Sequence, residues 1–393
     1  MKDVVIVSAC RTAIGRLGGA LKDVGAVELS TTVMQEAVKR VGIDPEIIDD
    51  VIWGECHQQA DKCNIARVAA LKSGFPISVT GVSVNRVCTS SLQAIVFAAQ
   101  AIKAEDADVL LVGGVESMSN APYALRQARW GYRLQHGEIR DTVWEGFTCA
   151  VSGLIMGMTA ENLAEKYNIS REEQDKIALR SHHNAIAAID KGLFKEEIVP
   201  VKIFQRKGDP LVVETDEHPR RNMTAEDLSR LAPVFKKGGT VTAGNASGIN
   251  DGAAALLIMS GQRAKELGLK PMARVVDYSY GGVEPELMGY GPVPATQKLL
   301  AKNGMNISQI DLIELNEAFA AQYLACEKGL GLDRDRVNVN GSGVALGHPV
   351  GCTGSRISVT LLHEMKRRGL KTGLATLCGL GGVAVAALFE MNE

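Results

Sequence analysis

The chain has 393 residues, of which 46% are hydrophobic and 22% charged, with a formal net charge of −2. That length accommodates two or three domain-sized units around a large core, and the composition is that of an ordinary globular protein, which excludes a disordered chain. The near balance of charge leaves no overall electrostatic footprint for a nucleic acid or an anionic membrane surface.

Residues 4–9 read as a first buried strand, followed by a loop with Gly15, Gly18 and Gly19 and a helix over 26–41 that Gly42 would end. A short strand over 50–53 and a helix over 64–73 come next. Val82 and Val84 then alternate with polar partners as in a strand, read here as a central one, and Leu92, Ile95, Val96 and Ala99 recur at helical spacing. Cys88 falls at that strand-to-helix junction, where Thr89, Ser90 and Ser91 can cap the turn. The first N–H groups of a helix lack intrahelical acceptors and carry partial positive charge, which predicts a thiol that ionises more readily than a free cysteine. A small, half-buried structural cysteine would occupy such a position equally well, so the partners of Cys88 must decide. Residues 107–112 form a further strand that Gly113 and Gly114 would close. This alternation predicts parallel sheets covered by helices on both faces.

From about residue 120 aromatics, prolines and charges become frequent, an amphipathic segment covers 159–167, and Ser170 with Glu173 forms a capping-box pattern. Residues 120–250 read as an insertion packed over the sheets; its paired bases, Arg206-Lys207, Arg220-Arg221 and Lys236-Lys237, suit a solvated surface unless an anionic ligand is shown. The apolar run 253–259 resumes core character, and from about Pro271 the chain repeats its own beginning. Residues 311–314 match 50–53, and V-x-V-N at 337–340 matches V-x-V-N at 82–85, each followed by a small-residue turn, a helix, a strand and a glycine pair. The expected organisation is a first half over 1–119 plus 251–270, the insertion over 120–250, and a second half over 271–393. In open α/β sheets ligands sit beyond the carboxyl ends of strands, where the loops after both V-x-V-N segments would lie. The uncharged stretch 374–389 is too short for a membrane span and is broken by Gly379, Gly381 and Gly382, so it reads as a buried strand pair.

The second of those loops, 341–354, is rich in glycine and carries one histidine, His348, which can activate a thiol. Its glycines are out of register for a dinucleotide fingerprint, and no phosphate-binding loop pattern occurs. Cys378 opens the last glycine-rich turn and can exchange protons, since a thiol near pKa 8.5 is within reach of neutral pH. A second cysteine, Cys378, near His348 and Cys88 invites a zinc reading, helped by Cys56, His57 and Cys63, but no C-x-x-C pair supports it and no metal is expected. Eight cysteines without a disulfide-like framework, after a start that carries no secretory pattern, point to a reducing, cytoplasmic compartment.

Several long motifs stand in order along the whole chain: N-R-V-C-T-S-S at Cys88, G-G-V-E-S-M-S-N-A-P-Y at 113–123, T-A-G-N-A-S-G-I-N-D-G-A-A-A at 242–255, N-E-A-F at Asn316, G-H-P-V-G-C-T-G at His348, and the Cys378 turn. Together they resemble the thiolases, the acetyl-CoA C-acyltransferases and 3-ketoacyl-CoA thiolases. The resemblance implies an α/β, five-layered fold of two duplicated βαβαβαββ halves with an inserted loop domain that covers coenzyme A. It implies an acyl thioester on Cys88, activation by His348, proton transfer by Cys378, and a water held by Asn316 beside His348 to bind an enolate oxygen. A second oxyanion site would use the backbone N–H groups of Cys88 and Leu380, and Arg220, Ser247, Phe319 and Met156 would line the CoA site. CoA and acyl-CoA are expected as substrates with no tightly bound cofactor, and the assembly as a homodimer or homotetramer without nucleic acid or membrane insertion. Cleavage by a thiolate in two transfers predicts ping-pong kinetics.

Three places depart from the family pattern. Ile155 replaces a histidine found in some acetoacetyl-CoA thiolases, Leu380 replaces a glycine of C-x-G-G-G, and 56–64 lacks the usual glycine and proline. The alternatives are a 3-oxoacyl synthase-type condensing enzyme, which lacks the second cysteine, and a non-catalytic acyl-CoA-binding scaffold, which has no use for two positioned thiols.

Overall fold

A computed structural model describes residues 2–392. Its first half runs β1 (Val4–Thr12), α1 (Ala26–Lys39), β2 (Asp50–Gly54), α2 (Ile65–Lys72), β3 (Thr80–Val84), α3 (Ser90–Lys103) and β4 (Val109–Ser117). A long insertion with α4 (Met156–Lys166) and α5 (Arg171–Asp190) follows, and β5 (Asn250–Ser260) returns to the sheet. The second half runs β6 (Ala273–Gly282), α6 (Pro292–Lys302), β7 (Leu312–Leu315), α7 (Ala320–Leu330), α8 (Thr353–Arg368), β8 (Thr372–Gly379) and β9 (Val383–Met391).

Strand order is β1-β5-β4-β2-β3 in one half and β6-β9-β8-β7 in the other. In both, the first two contacts are antiparallel and the next is parallel. Val5 with Arg274 and Ile6 with Ala273 pair β1 to β6, joining both halves into one hydrogen-bonded path. The duplication read from the sequence is therefore the architecture.

Side-chain alternation along the strands sorts the core into layers. On β5, Ala253, Ala255, Leu257 and Met259 face α1 and α2, whereas Ala254, Leu256 and Ile258 face α3 and α8. On β9, Val385, Ala387 and Phe389 share that same middle cluster, while Ala384, Ala386 and Leu388 face α6 and α7. Two sheets thus alternate with three helical layers, and α3 and α8 are the filling between them.

Four expectations need adjustment, the first being that the sheets are mixed and not parallel, since β1–β5, β5–β4, β6–β9 and β9–β8 all run antiparallel. The strand over Val82 and Val84 lies at the edge of the sheet, with Val82 45% exposed, because only β2 pairs with it. Its counterpart over 337–340 is reduced to a single bridge from Val337 to Ile313. Asn338 there takes φ +50°, and its side chain accepts from Leu315 N–H at 3.0 Å and donates to Leu315 O at 2.8 Å, doing the work of a ladder. Gly113 and Gly114 lie inside β4 and do not end it: a Cβ on Gly113 would meet Trp53 at 2.6 Å, and one on Gly114 would meet Ser91 at 2.7 Å. The uncharged stretch is the antiparallel pair β8–β9, as expected, and α5 opens with the predicted capping box, Ser170 and Glu173 exchanging bonds of 2.9 and 3.1 Å. Among the described residues no helix is long and apolar enough to cross a membrane.

Candidate active site

Cys88 sits on a turn between β3 and α3 that local hydrogen bonds hold tightly. Val87 takes φ +46°, an outlier for a β-branched residue, and is kept there by its N–H to Asn85 Oδ1 at 3.0 Å and by Ser90 N–H donating to its carbonyl at 3.0 Å. Thr89 Oγ1 donates to Arg86 O at 2.7 Å and closes the turn. The Cys378 strand end presses on this turn from the other half: a Cβ on Gly379 would come within 2.7 Å of Val87 and 3.3 Å of Thr89.

Burial pushes the Cys88 thiol up to about 11, against hydrogen bonds from the N–H groups of Leu380 and of Cys88 itself that favour the thiolate. This corrects the expectation of an easily ionised thiol, because desolvation at the bottom of the site outweighs the helix terminus. These are the two amides that the resemblance implies as an oxyanion pair, and here they favour the charged form of the thiol. Cys378 is fully buried, which raises its pKa well above the ordinary thiol value, and Cys88 is among the neighbours that raise it further. Its proton is therefore not lost near neutral pH without a bound charge to offset burial.

His348 lies in the loop before α8, its N–H donating to Asn250 Oδ1 at 3.0 Å. Burial, with the Arg356 guanidinium adding to it, lowers its pKa to about 3, so the imidazole is neutral. Thr353 Oγ1 donates to Pro349 O at 2.9 Å and stands 2.6 Å from His348 Nδ1. A hydroxyl has one proton, so Thr353 must accept from Nδ1–H, and this tautomer leaves the Nε2 lone pair as a base. Asn316 lies against the ring with Nδ2 3.4 Å from both nitrogens.

The N-termini of α3 and α8 meet at this place. Ser355 N–H donates to Ser91 Oγ at 2.9 Å and Ser355 Oγ to Ser91 O at 3.3 Å. Val350, two residues after His348, packs in one apolar cluster with Cys88, Cys56, Phe147 and Ile249. A second cluster joins Cys378 to Met156, Met288, Ala318, Phe147, Phe319 and Leu380. Phe147 belongs to both, so the two thiols share one apolar wall.

Of the expected CoA residues, Met156 and Phe319 lie in the Cys378 cluster. Ser247 borders it, its N–H donating to Ala318 O at 2.9 Å. Arg220 is exposed at a cavity of about 400 Å³ that Arg16, His218 and Ile249 also line. Ile249, like Cys88, packs against the apolar cluster of Met118, Val143 and Val350. Sequence reasoning missed Thr353, Phe147, Met288, Asn250 and Glu116. Thr353 could have been found as a hydroxyl five residues after the histidine at a helix start, and Glu116 as a lone acid in an apolar strand; Phe147 and Met288 carry no local signal.

Two α/β halves that set Cys88 and Cys378 against one apolar wall, with a neutral imidazole two residues before Val350 of that wall, hold the parts that an acyl-transferring enzyme of covalent type uses. Residues 4–262 match the thiolase N-terminal domain and residues 269–391 the thiolase C-terminal domain. The chain is 53% identical over 394 residues to an acetyl-CoA acetyltransferase of Syntrophomonas wolfei, covering 99% of each, and 53% identical over 392 residues to one of Escherichia coli, again covering 99% of each. It superposes with a TM-score of 0.98 and 56% identity on the crystal structure of a Bacillus anthracis acetyl-CoA acetyltransferase, covering 100% of this chain and 99% of that one. Human mitochondrial 3-ketoacyl-CoA thiolase in complex with CoA gives 0.96 at 43% identity, covering 100% and 98%. The chain belongs to the thiolase family. It is an enzyme of that class and neither a 3-oxoacyl synthase nor a non-catalytic scaffold.

Proposed function

We propose that this enzyme cleaves 3-oxoacyl-CoA with CoA, and runs the reverse Claisen condensation of acetyl-CoA, through an acyl thioester on Cys88. The reading is supported by a Cys88 thiol whose ionised form the N–H groups of Cys88 and Leu380 favour, by its proximity to Cys378, and by a neutral His348 whose Nδ1–H faces Thr353. His348 takes the Cys88 proton as the sulfur attacks the 3-oxo carbon. The bond between the α and β carbons then breaks, its electron pair leaves as the acetyl-CoA enolate, and Cys378 protonates that carbon. CoA next gives its proton to the Cys378 thiolate and attacks the acyl group; the Cys88 sulfur leaves as a thiolate, takes back its proton from His348, and the shortened acyl-CoA is released. The N–H groups of Cys88 and Leu380 stabilise the tetrahedral oxyanions, and His348 with Asn316 the enolate oxygen. Initial-rate kinetics should be ping-pong, with an acylated Cys88 trapped before CoA is added; intersecting ternary-complex patterns without acyl-enzyme would overturn this.

The insertion over 120–250 is proposed to cover CoA, with Arg220 at the nucleotide end, where a guanidinium suits phosphate and adenine, and Met156, Ser247 and Phe319 along the pantetheine arm. Leu380 is proposed as a determinant of chain length. The backbone accepts a side chain there, since Gly381 and Gly382, and not Leu380, take φ +85°, and the isobutyl group packs with Phe147, Phe319 and Cys378. Leu380→Gly should raise the ratio of kcat/KM for 3-oxohexanoyl-CoA over acetoacetyl-CoA about tenfold, the scale of one or two methylenes in an apolar pocket. Identical chain-length profiles for the two proteins would remove the idea.

A homodimer or homotetramer is proposed from two surfaces. The edge strand β3 leaves one row of backbone groups unpaired within the described chain, and a hairpin near residues 123–141 exposes Trp130, Leu134 and Ile139. Sedimentation should give two or four chains, and a monomer at micromolar concentration would refute this. Eight free thiols support the reading of a reducing, cytoplasmic site of lipid metabolism.

A further inference from the structure

Glu116 near the end of β4 is buried, 1% exposed, and makes no contact that the proposed chemistry uses. Its carboxylate accepts three backbone N–H groups. Oε2 takes those of Cys56 at 3.0 Å and Gly351 at 2.9 Å, and Oε1 takes that of His57 at 3.0 Å, with His57 Nδ1 at 3.4 Å. Cys56 and His57 follow β2 in the first half, and Cys56 packs against the same apolar cluster as Cys88; Gly351 is three residues beyond His348 in the second. One buried charge therefore grips both loops.

The backbone around it is packed so closely that side chains are excluded. A Cβ on Gly351 would meet Val115 O at 2.6 Å and Glu116 Oε2 at 2.8 Å, and one on Gly54 would meet Gly351 O at 2.9 Å. Charge-assisted bonds to backbone N–H groups are among the strongest that neutral donors make, and a buried carboxylate without them would be costly. We propose that Glu116 is a positioning residue, which sets His348 in register with Cys88 by holding the Gly351 loop of the second half to the Cys56 loop of the first.

This rests on the assignment of Cys88 and His348 as nucleophile and base. A misplacement of about 1 Å between reacting groups costs on the order of 10²-fold in rate. Glu116→Met keeps length but removes every acceptor, whereas Glu116→Gln can turn its carbonyl oxygen to Cys56 and Gly351 and donate toward His57 Nδ1. The expected result in acetoacetyl-CoA thiolysis is a kcat about 10²-fold lower for Glu116→Met, with KM within about threefold of native, and recovery to within about tenfold in Glu116→Gln. Gly351→Ala, which pushes the loop off the carboxylate, should show the same loss of kcat at unchanged KM, and it carries the test if Glu116→Met does not fold. A kcat within threefold of native in Glu116→Met or Gly351→Ala overturns the proposal, as does a Glu116→Gln as slow as Glu116→Met. An active Cys88→Ala control would instead sink the underlying catalytic assignment.

Discussion

Cys88→Ala is expected to lower kcat for acetoacetyl-CoA thiolysis by about 10⁴-fold or more, the scale on which removal of a covalent nucleophile is felt. The loss follows from the geometry, since no neighbouring group can take over. Cys378 is buried, and its thiol is held well above the ordinary range by that burial. Cys56 is raised well above as well, by burial and then by the Glu116 carboxylate. The variant should still bind CoA thioesters, because the proposed contacts at Arg220, Ser247, Phe319 and Met156 do not involve the sulfur. Loss of the magnesium-enolate absorbance of acetoacetyl-CoA, followed with native and variant proteins, reads the effect directly; residual activity within tenfold of native would defeat the assignment.

The second large effect concerns the base. His348→Asn should reduce kcat by about 10³-fold, within the range for a positioned proton acceptor. The two pKa shifts fix the pH behaviour. With the imidazole at about 3 and the thiol at about 11, both pushed by burial, the resting pair is neutral thiol and neutral imidazole and not an ion pair. A lowered histidine value means the base form persists as pH falls through 6.5, so the acid limb of kcat/KM should show no break near 6.5. A raised thiol value means iodoacetamide alkylation of Cys88 should keep climbing between pH 7 and pH 10. A plateau reached by pH 7 would contradict both. Thr353→Val, which removes the acceptor of Nδ1–H, should cost about 10²-fold in kcat through the wrong tautomer while leaving KM in place.

What the sequence could show was set by how local the determinant was. The turn at Cys88 and the capping box at Ser170 are contained within a few residues, and both were legible. The internal repeat was legible because apolar strands and glycine pairs recur in order. The edge position of β3 was not, because strand order depends on pairings between residues far apart, such as Asp50 with Leu110 and Thr80. The missing strand at 337–340 was hidden by Asn338, whose side chain substitutes for backbone partners that letters alone do not reveal. The direction of the Cys88 shift was misjudged for a related reason. A helix terminus is visible in sequence, but the walls that desolvate the thiol come from Met118, Val143, Phe147 and Val350, distant in the chain.

Ser91 near the start of α3 and Ser355 near the start of α8 touch across the boundary between repeated halves. Two identical half-length chains paired in this way would bring the same turn to that boundary twice, giving sulfur against sulfur or ring against ring. Fusion of the copies frees each to diverge on its own. A nucleophile and its base must be unlike, and a single continuous polypeptide is what permits unlike groups to occupy equivalent places.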